Sequence, residues 1–383
     1  MQRFTQSPTD PAFVQDPYPF YDRLRDAGPL AYWTDYDLPV ASSHAVIDAL
    51  LRDRRFGRED PAPPPRPPHQ AGFWAVEDHS MLELEPPRHT RLRAQVLRAF
   101  TSRRIATLGS EIVALADDLI DAFPQGPFDL IYAFAQPLPV RVIARLLGVP
   151  EADAPQLLVW SNAMVGMYQA GRSHAHEVAA ADAATAFAAY LSDILRRPPP
   201  DTLIAHLRTA ADEGRLSPEE VITTCILLLN AGHEATVHTL GNGIAGLCAR
   251  GLWGTEITPP LVEEILRHDP PLHLFTRYAT DDVDIFGHHF TRGDQIGLLL
   301  GAANRDPAVF PEPSVFRPDR TPNPHVSFGA GLHFCIGAPL ARLELLEALR
   351  ALTARLPHLQ VAEPPRYADI YHFHGLDRLI VQR

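Results

Sequence analysis

Apolar residues recur at three- and four-residue spacing along most of the chain. The pattern covers 44–53, 87–100, 103–123, 139–147, 151–169, 174–197, 201–213, 217–250, 259–268 and 337–355. It predicts helices with one face turned to a core. A further helix is expected from Tyr18 to Ala27, closed by Gly28-Pro29. Residues 30–47 mix aromatic and β-branched residues with Asp and Pro and predict a small hairpin. Strand-like pieces follow over 275–300, 358–361 and 379–382. The expected fold class is therefore mainly α with minor β. Pro61–Pro68 and Pro198–Pro200 read as surface loops of polyproline character, too short to be domain linkers. With no repeat visible, residues 1–383 are expected to form a single domain.

The segment from 217 has the clearest signature. Ser217-Pro218-Glu219-Glu220 supplies an N-cap, a proline at the first helical position and a glutamate at the third. Continued to Arg250 the helix would be roughly 50 Å long. It is apolar nearly all round, so it should run through the core. Its middle nevertheless carries Asn230, Gly232, His233, Glu234 and Thr236. Glycine costs about 1 kcal/mol in a helix, and a buried glutamate needs a partner. Two readings follow: a packing glycine beside a satisfied carboxylate, or a helix loosened next to a reaction centre.

Composition narrows the function. Apolar residues are 46% and charged residues 21%, as in a folded protein rather than a disordered one. The 34 cations are all arginine and face 46 acids, giving a net charge of −12. That balance argues against nucleic acid as a partner. The most apolar stretch, Val221 to Leu229, stops at Asn230, short of the roughly 18 residues of a membrane span. The N-terminus has no apolar signal core, so a soluble, cytoplasmic protein is expected. Against the overall charge, 86–104 holds six arginines and no acid.

Three cysteines, none in a Cys-x-x-Cys pair, argue against disulfides and structural zinc. Cys225 and Cys248 lie in the long helix and read as small core residues. Cys335 differs. It lies in Phe328-Gly-Ala-Gly-Leu-His-Phe-Cys-Ile-Gly337, just before an amphipathic helix with Pro339 in its first turn. Glycines permit tight turns and close approach of backbone to a flat ligand. A helix N-terminus favours thiolate over thiol. A thiolate in an apolar, glycine-lined loop is a good soft ligand for iron.

On these residues, 328–337 resembles the haem-binding loop of the cytochrome P450 family, Phe-Gly-x-Gly-x-His-x-Cys-x-Gly, with every fixed position filled. Glu264-Ile-Leu-Arg267 is similar to the family's Glu-x-x-Arg pair. Phe316-Arg-Pro-Asp-Arg320 resembles the segment supplying a third arginine, and Gly301–Pro307 the segment before it. The resemblance implies a P450-type fold of the soluble bacterial kind, with the long helix crossing a buried haem b. It implies Cys335 as iron ligand, with Gly329 in its loop, and Glu264, Arg267 and Arg320 as a structural network. It implies propionate contacts from His89, Arg93, Arg277, His325 and His333; His89 and Arg93, four apart, share a helical face.

Ala231-Gly-His-Glu234-Ala235 resembles the family's oxygen-binding stretch, which makes Glu234 and Thr236 the candidate catalytic residues. The usual threonine position holds Ala235. Thr236 is one residue on, turned about 100° round the helix. Three explanations stay open. A substrate hydroxyl replaces the threonine; Thr236, Asn230 or His238 does so in a distorted helix; or the enzyme is not an ordinary monooxygenase.

The function implied is insertion of one oxygen atom from O2 into an apolar small molecule. No flavin or iron–sulfur motif is present, so electrons would come from a separate ferredoxin and ferredoxin reductase. Arg88, Arg91, Arg98, Arg103 and Arg104 exceed what propionates need and read as a docking face for an acidic ferredoxin. Two alternatives remain. One is a haem-thiolate enzyme of another type, driven by peroxide or catalysing isomerisation, dehydration or oxidative coupling. The other is a haem-dependent binding or sensing protein. By resemblance the substrate pocket is lined near Phe73-Trp74, Trp160 to Tyr168, Leu229, Leu272 to Phe275 and Tyr371 to His374. His273, His372 and His374 there either meet a polar substrate group or are surface histidines.

Overall fold

The helices form close to the predicted bounds, from Tyr18–Asp26 and His44–Arg52 through Arg88–Ala99, Pro137–Leu147 and His174–Arg196 to Pro259–His268 and Ala338–Arg355. The computed structural model describes residues 1–383 except Thr101 and Ala170, and not the side chains of Ala99, Ser102, Arg103 and Arg104. The docking expectation placed on Arg103 and Arg104 thus lies outside the described residues. The periodic stretch 151–169 is broken into a turn at Glu151–Asp153, the helix Ala154–Val165 and a turn at Gly166–Tyr168. Among the described residues three α-helices were not predicted, one of them the four-residue Leu300–Ala303. Pro11–Gln15 is too short to show a period and is set by its cap, the Asp10 carboxylate accepting from the N–H groups of Ala12 and Phe13. Ala71–Glu77 follows the proline-rich loop.

By chain contacts the protein divides into two compact units. The first comprises Met1–Pro63, Ile120–Ala133 and Ala235–Arg383; the second comprises Pro64–Leu119 and Phe134–Glu234. The first holds the main sheet: β1 (Arg3–Phe4), β2 (Ala31–Trp33), β3 (Leu38–Ala41), β4 (Phe56–Gly57), β5 (Leu274–Ala279) and β6 (Gln295–Leu299). Their spatial order is β1-β2-β3-β6-β5-β4. β2 and β3 are the predicted hairpin, with Tyr32 opposite Pro39. In the β5–β6 pair, Arg277 stands opposite Ile296. Ile47, Leu50, Phe56 and Phe290 belong to one hydrophobic core; an aromatic cluster of Phe13, Phe20, Tyr21, Trp33 and Tyr371 forms a second.

The second unit is helical. Its longest helix, His174–Arg196, buries Ala180, Ala184, Phe187 and Leu191. Among the described residues it is the one helix long and apolar enough to cross a membrane by composition.

The long helix runs unbroken from Pro218 to Ala249. Its capping box forms as predicted: Glu220 N–H donates to Ser217 Oγ (3.2 Å), and Ser217 N–H to Glu220 Oε2 (2.9 Å). The stretch from Asn230 to Thr236 stays α-helical. A Cβ on Gly232 would come 3.2 Å from the Ile143 side chain, so this glycine is there for close packing and not to loosen the helix.

Candidate functional site

The first unit carries the Cys335 loop. Gly329 (φ +67°) and Gly331 (φ +68°) turn the chain through the left-handed region. At Gly331 a side chain has no room, since a Cβ would meet the Leu51 carbonyl at 2.4 Å. The loop closes with Cys335 N–H donating to the Phe328 carbonyl at 2.9 Å. Cys335 is half-buried and not in a disulfide. It stands three residues before the Ala338–Arg355 helix, where free N–H groups favour a thiolate. Burial instead pushes the Cys225 thiol up to about 12, as for a core residue, and the Cys248 thiol, which is half-buried rather than in the core, up to about 11.

A buried ionic network holds the chain leading into this loop. Glu264 is 0% exposed and accepts from five donors: Arg267 Nε and Nη2 (both 2.7 Å), the Arg317 N–H (2.8 Å), Arg320 Nε (3.1 Å) and Asn323 Nδ2 (3.2 Å). Burial alone would raise this carboxyl; the hydrogen bonds from Arg267 and the Arg317 N–H hold it below the ordinary range. Arg267 Nη1 donates to the Asn304 carbonyl (2.9 Å). Asn304 in turn accepts from the Val326 N–H (2.8 Å) and donates to Ser327 Oγ (2.7 Å). The ion pair thereby fixes residues 326–327, immediately before Phe328. The network expected of Glu264, Arg267 and Arg320 is present.

His325 was expected at a propionate. Here its Nε2 lies 2.9 Å from Glu263, which also pairs with Arg342 at 2.6 Å, and its Nδ1 accepts from the Ser327 N–H at 3.3 Å. Burial raises Glu263, but His325 and Arg342 outweigh it and hold the carboxyl at about 2. Arg277 is 2% exposed, with Nη1 donating to the Thr276 carbonyl. His333 lies in the turn Gly331–His333 and is half-buried.

On the long helix, the first unit contains Ala235 and Thr236. Thr236 lies against the carboxyl of Glu344, from the helix after Cys335. Glu344 is 1% exposed and neither of its oxygens closes a hydrogen bond. Burial lifts it well above the ordinary carboxylate range, with the Thr236 hydroxyl pulling the other way. His238 packs on Phe373.

The second unit holds His89, Arg93 and Glu234. His89 is 1% exposed, on the Arg88–Ala99 helix with half-buried Arg93. Glu234 lies 3.3 Å from His233 Nε2. His233 Nδ1 is 2.8 Å from the Leu229 carbonyl and so carries a proton toward it. Asn230 donates to Met164 Sδ (3.7 Å), leaving its Oδ1 buried without a partner. On the arginine-rich helix only Arg91, among the arginines whose contacts follow, is paired with an acid. Arg91 is drawn onto Glu220 (2.5 Å), and Arg98 reaches Gln95. Arg88 donates to the Asp78 carbonyl.

The residues expected around substrate fall in both units. In the second, Phe73 is buried against Trp74, and Trp160 packs on Phe187. In the first, His273 and His374 are 0% and 4% exposed. They are therefore not surface histidines.

A family model for cytochrome P450 matches residues 256–365, the segment from the Glu264 helix through the Cys335 loop. The chain is 36% identical to a biotin biosynthesis cytochrome P450 of Bacillus subtilis (strain 168), over 96% of each chain. It is 38% identical to the cytochrome P450 monooxygenase PikC of Streptomyces venezuelae, over 92% of this chain and 87% of that one. The chain belongs to the cytochrome P450 family. Its fold is that of a P450: the crystal structure of P450BioI in complex with a hexadec-9Z-enoic acid-ligated acyl carrier protein superposes with a TM-score of 0.90 at 35% identity, covering 97% of this chain and 99% of that one. The protein is accordingly a P450 monooxygenase, an oxidoreductase of a family that uses haem and O2.

The residues of this P450 fit a haem ligated by cysteine. The loop has a half-buried thiol outside any disulfide and a glycine at 331 where a side chain would clash, and the same unit holds the buried Arg277. His233 and Glu344 were missed by the sequence reading. Glu344 had a signal, an acid at helical spacing from Leu340 and Ala348 on the buried face of its helix. His233 had none beyond adjacency to Glu234.

Proposed function

We propose that residues 1–383 act as one haem-thiolate monooxygenase, which inserts one atom of O2 into an apolar small organic substrate with electrons from a separate ferredoxin and its reductase. The observation that carries this reading is the Cys335 loop, pinned from behind by the Glu264–Arg267–Asn304–Ser327 chain. Haem supplies oxygen activation when bound, with Cys335 as its thiolate ligand and Gly329 giving it room. His89, Arg93, Arg277 and His333 are assigned to its propionates. We leave His325 out, because both its nitrogens are taken by Glu263 and Ser327.

Glu234 is assigned as the proton-handling acid, with His233 beside it. Ala235 brings no hydroxyl. Thr236 acts at one remove, through Glu344, which favours a substrate hydroxyl in the place of the family's threonine. A cytoplasmic location suits a ferredoxin-driven cycle. Ala235 also favours a second reading, a haem-thiolate enzyme driven by peroxide.

The first test is the carbon monoxide difference spectrum of the reduced protein beside Cys335→Ala. A strongly red-shifted Soret band is expected in the wild type and its loss in the variant. Haem without that band in the wild type would refute thiolate ligation. For docking, exposed Arg98→Ala should lower ferredoxin-supported turnover several-fold, more at low salt, and spare peroxide-supported turnover. Equal losses by both routes would exclude Arg98 from docking, and turnover with peroxide alone would establish the second reading.

A further inference from the structure

A second cluster of ligand-type side chains lies wholly within the first unit. The loop after the Glu264 helix carries Asp269 and His273, and the C-terminal turn carries His374. The two segments bridge at Leu272 and Phe373. His273 N–H donates to the His372 carbonyl (3.1 Å), and His374 N–H to the Pro271 carbonyl (2.7 Å). From the long helix, Asn242 Nδ2 donates to the His374 carbonyl at 2.8 Å. His372 holds φ +135°, a strained value for a residue other than glycine, of the kind that persists where the surroundings enforce it.

One ligand atom from each of Asp269, His273 and His374 lies within 4.8 Å of the other two. All three side chains are held from behind. The Tyr21 hydroxyl is 2.8 Å from His273 Nδ1. Tyr18 donates to Asp269 Oδ1 (2.8 Å) and Tyr367 to Oδ2 (2.5 Å). His374 Nδ1 is 3.0 Å from Asp269, and its ring stacks on Tyr367 at 3.7 Å. Yet Nε2 of His273 and Nε2 of His374 are both buried and close no hydrogen bond. Buried ring nitrogens left so are uncommon, and two in contacting rings 4.5 Å apart are more so. Asp269 and His374 also line a cavity of about 360 Å3, floored by the small residues Gly243, Gly246 and Ala249 of the long helix.

We propose that Asp269, His273 and His374 bind a divalent transition-metal ion of the zinc class. Two imidazoles and one carboxylate suit zinc, whereas calcium and magnesium take oxygen ligands. Three protein ligands leave a position for water from the cavity, which is also the way in. The tyrosine hydroxyls on Asp269 and His273 are the outer contacts that orient metal ligands. The bound ion joins two segments a hundred residues apart in sequence, and the assignment does not depend on the haem reading.

Tag-free, haem-loaded protein incubated with Zn2+ and passed through a desalting column should retain about one zinc per chain by mass spectrometry. His374→Gln and Asp269→Asn should retain less than a tenth of that, and His289→Ala, at an exposed histidine, the full amount. Wild type that retains none, or ligand variants that retain as much as wild type, would overturn the site. So would loss in His289→Ala alone, which marks surface binding. Because the ligand variants remove buried contacts, Tyr21→Phe is the companion test. It keeps all three ligands, and its zinc affinity by calorimetry should fall roughly 10–100-fold. Unchanged affinity in a variant with native circular dichroism would contradict the proposal.

Discussion

Glu264 and Glu344 are both acids withdrawn from water in the first unit, 0% and 1% exposed, and the fold treats them in opposite ways. Glu264 meets five donors, two of them on Arg267 and one on Arg320. It is held as a carboxylate. Glu344 meets a single hydroxyl, that of Thr236, and closes no hydrogen bond with it. It is held as a neutral acid. Neither meets solvent, and their partners set them apart. The charged acid immobilises the run-in to Cys335. The neutral acid leaves the Ala235–Thr236 stretch with a group able to donate a proton.

The largest effect is expected where the charge is real. Glu264→Gln removes one side of a buried ion pair and strands two guanidinium groups, a loss of roughly 3–5 kcal/mol in unfolding free energy. Chemical denaturation measures it, and haem retention should fall with it because residues 326–327 lose their anchor. A loss under about 1 kcal/mol would mean that Arg267 and Arg320 find carbonyl partners enough without the carboxylate.

Glu344→Gln comes next, and its mark is a change with pH. The folded state raises this pKa above its unfolded value. The stability it lends is complete below the ordinary carboxylate pKa and is lost as pH rises toward the raised one. The slope is at most ~1.4 kcal/mol per pH unit. Glutamine cannot titrate. From about pH 5 to pH 8 the variant should therefore gain on the wild type in denaturant midpoint, starting near parity. Parallel curves would show that Glu344 titrates normally, and the contrast with Glu264 would disappear.

The sequence made the Glu264 side of this contrast legible and not the Glu344 side. Glu264, Arg267, Arg320 and Cys335 sit in spaced motifs, and the helices around them have strong periods. The capping box at Ser217 and the hairpin at 30–47 were legible for the same reason, as local chemistry. Glu344 and His233 are defined by what approaches them from other segments. The contact of His325 with Glu263 likewise joins segments that no local pattern pairs. His273 and His374, a hundred residues apart, meet through a bridge that no local pattern predicts. Short elements such as Pro11–Gln15 and β4 have too few residues to carry a period.

The smallest effect tests which way Thr236 faces. Thr236→Val keeps the shape of the side chain and removes the hydroxyl beside Glu344. Against a neutral acid, that hydroxyl is worth about 0.5–1.5 kcal/mol at most, partly offset by the added methyl. The expected loss of stability is under about 1 kcal/mol. Were Thr236 the group that positions a proton at the reacting oxygen, its loss would cost roughly 10²–10⁴ in rate. With its hydroxyl turned to Glu344, the expected change in product formed per electron consumed is less than tenfold. A hundredfold loss at unchanged stability would return Thr236 to the reaction centre. A stability loss above 2 kcal/mol would mean that Glu344 is charged and that Thr236 is its essential donor.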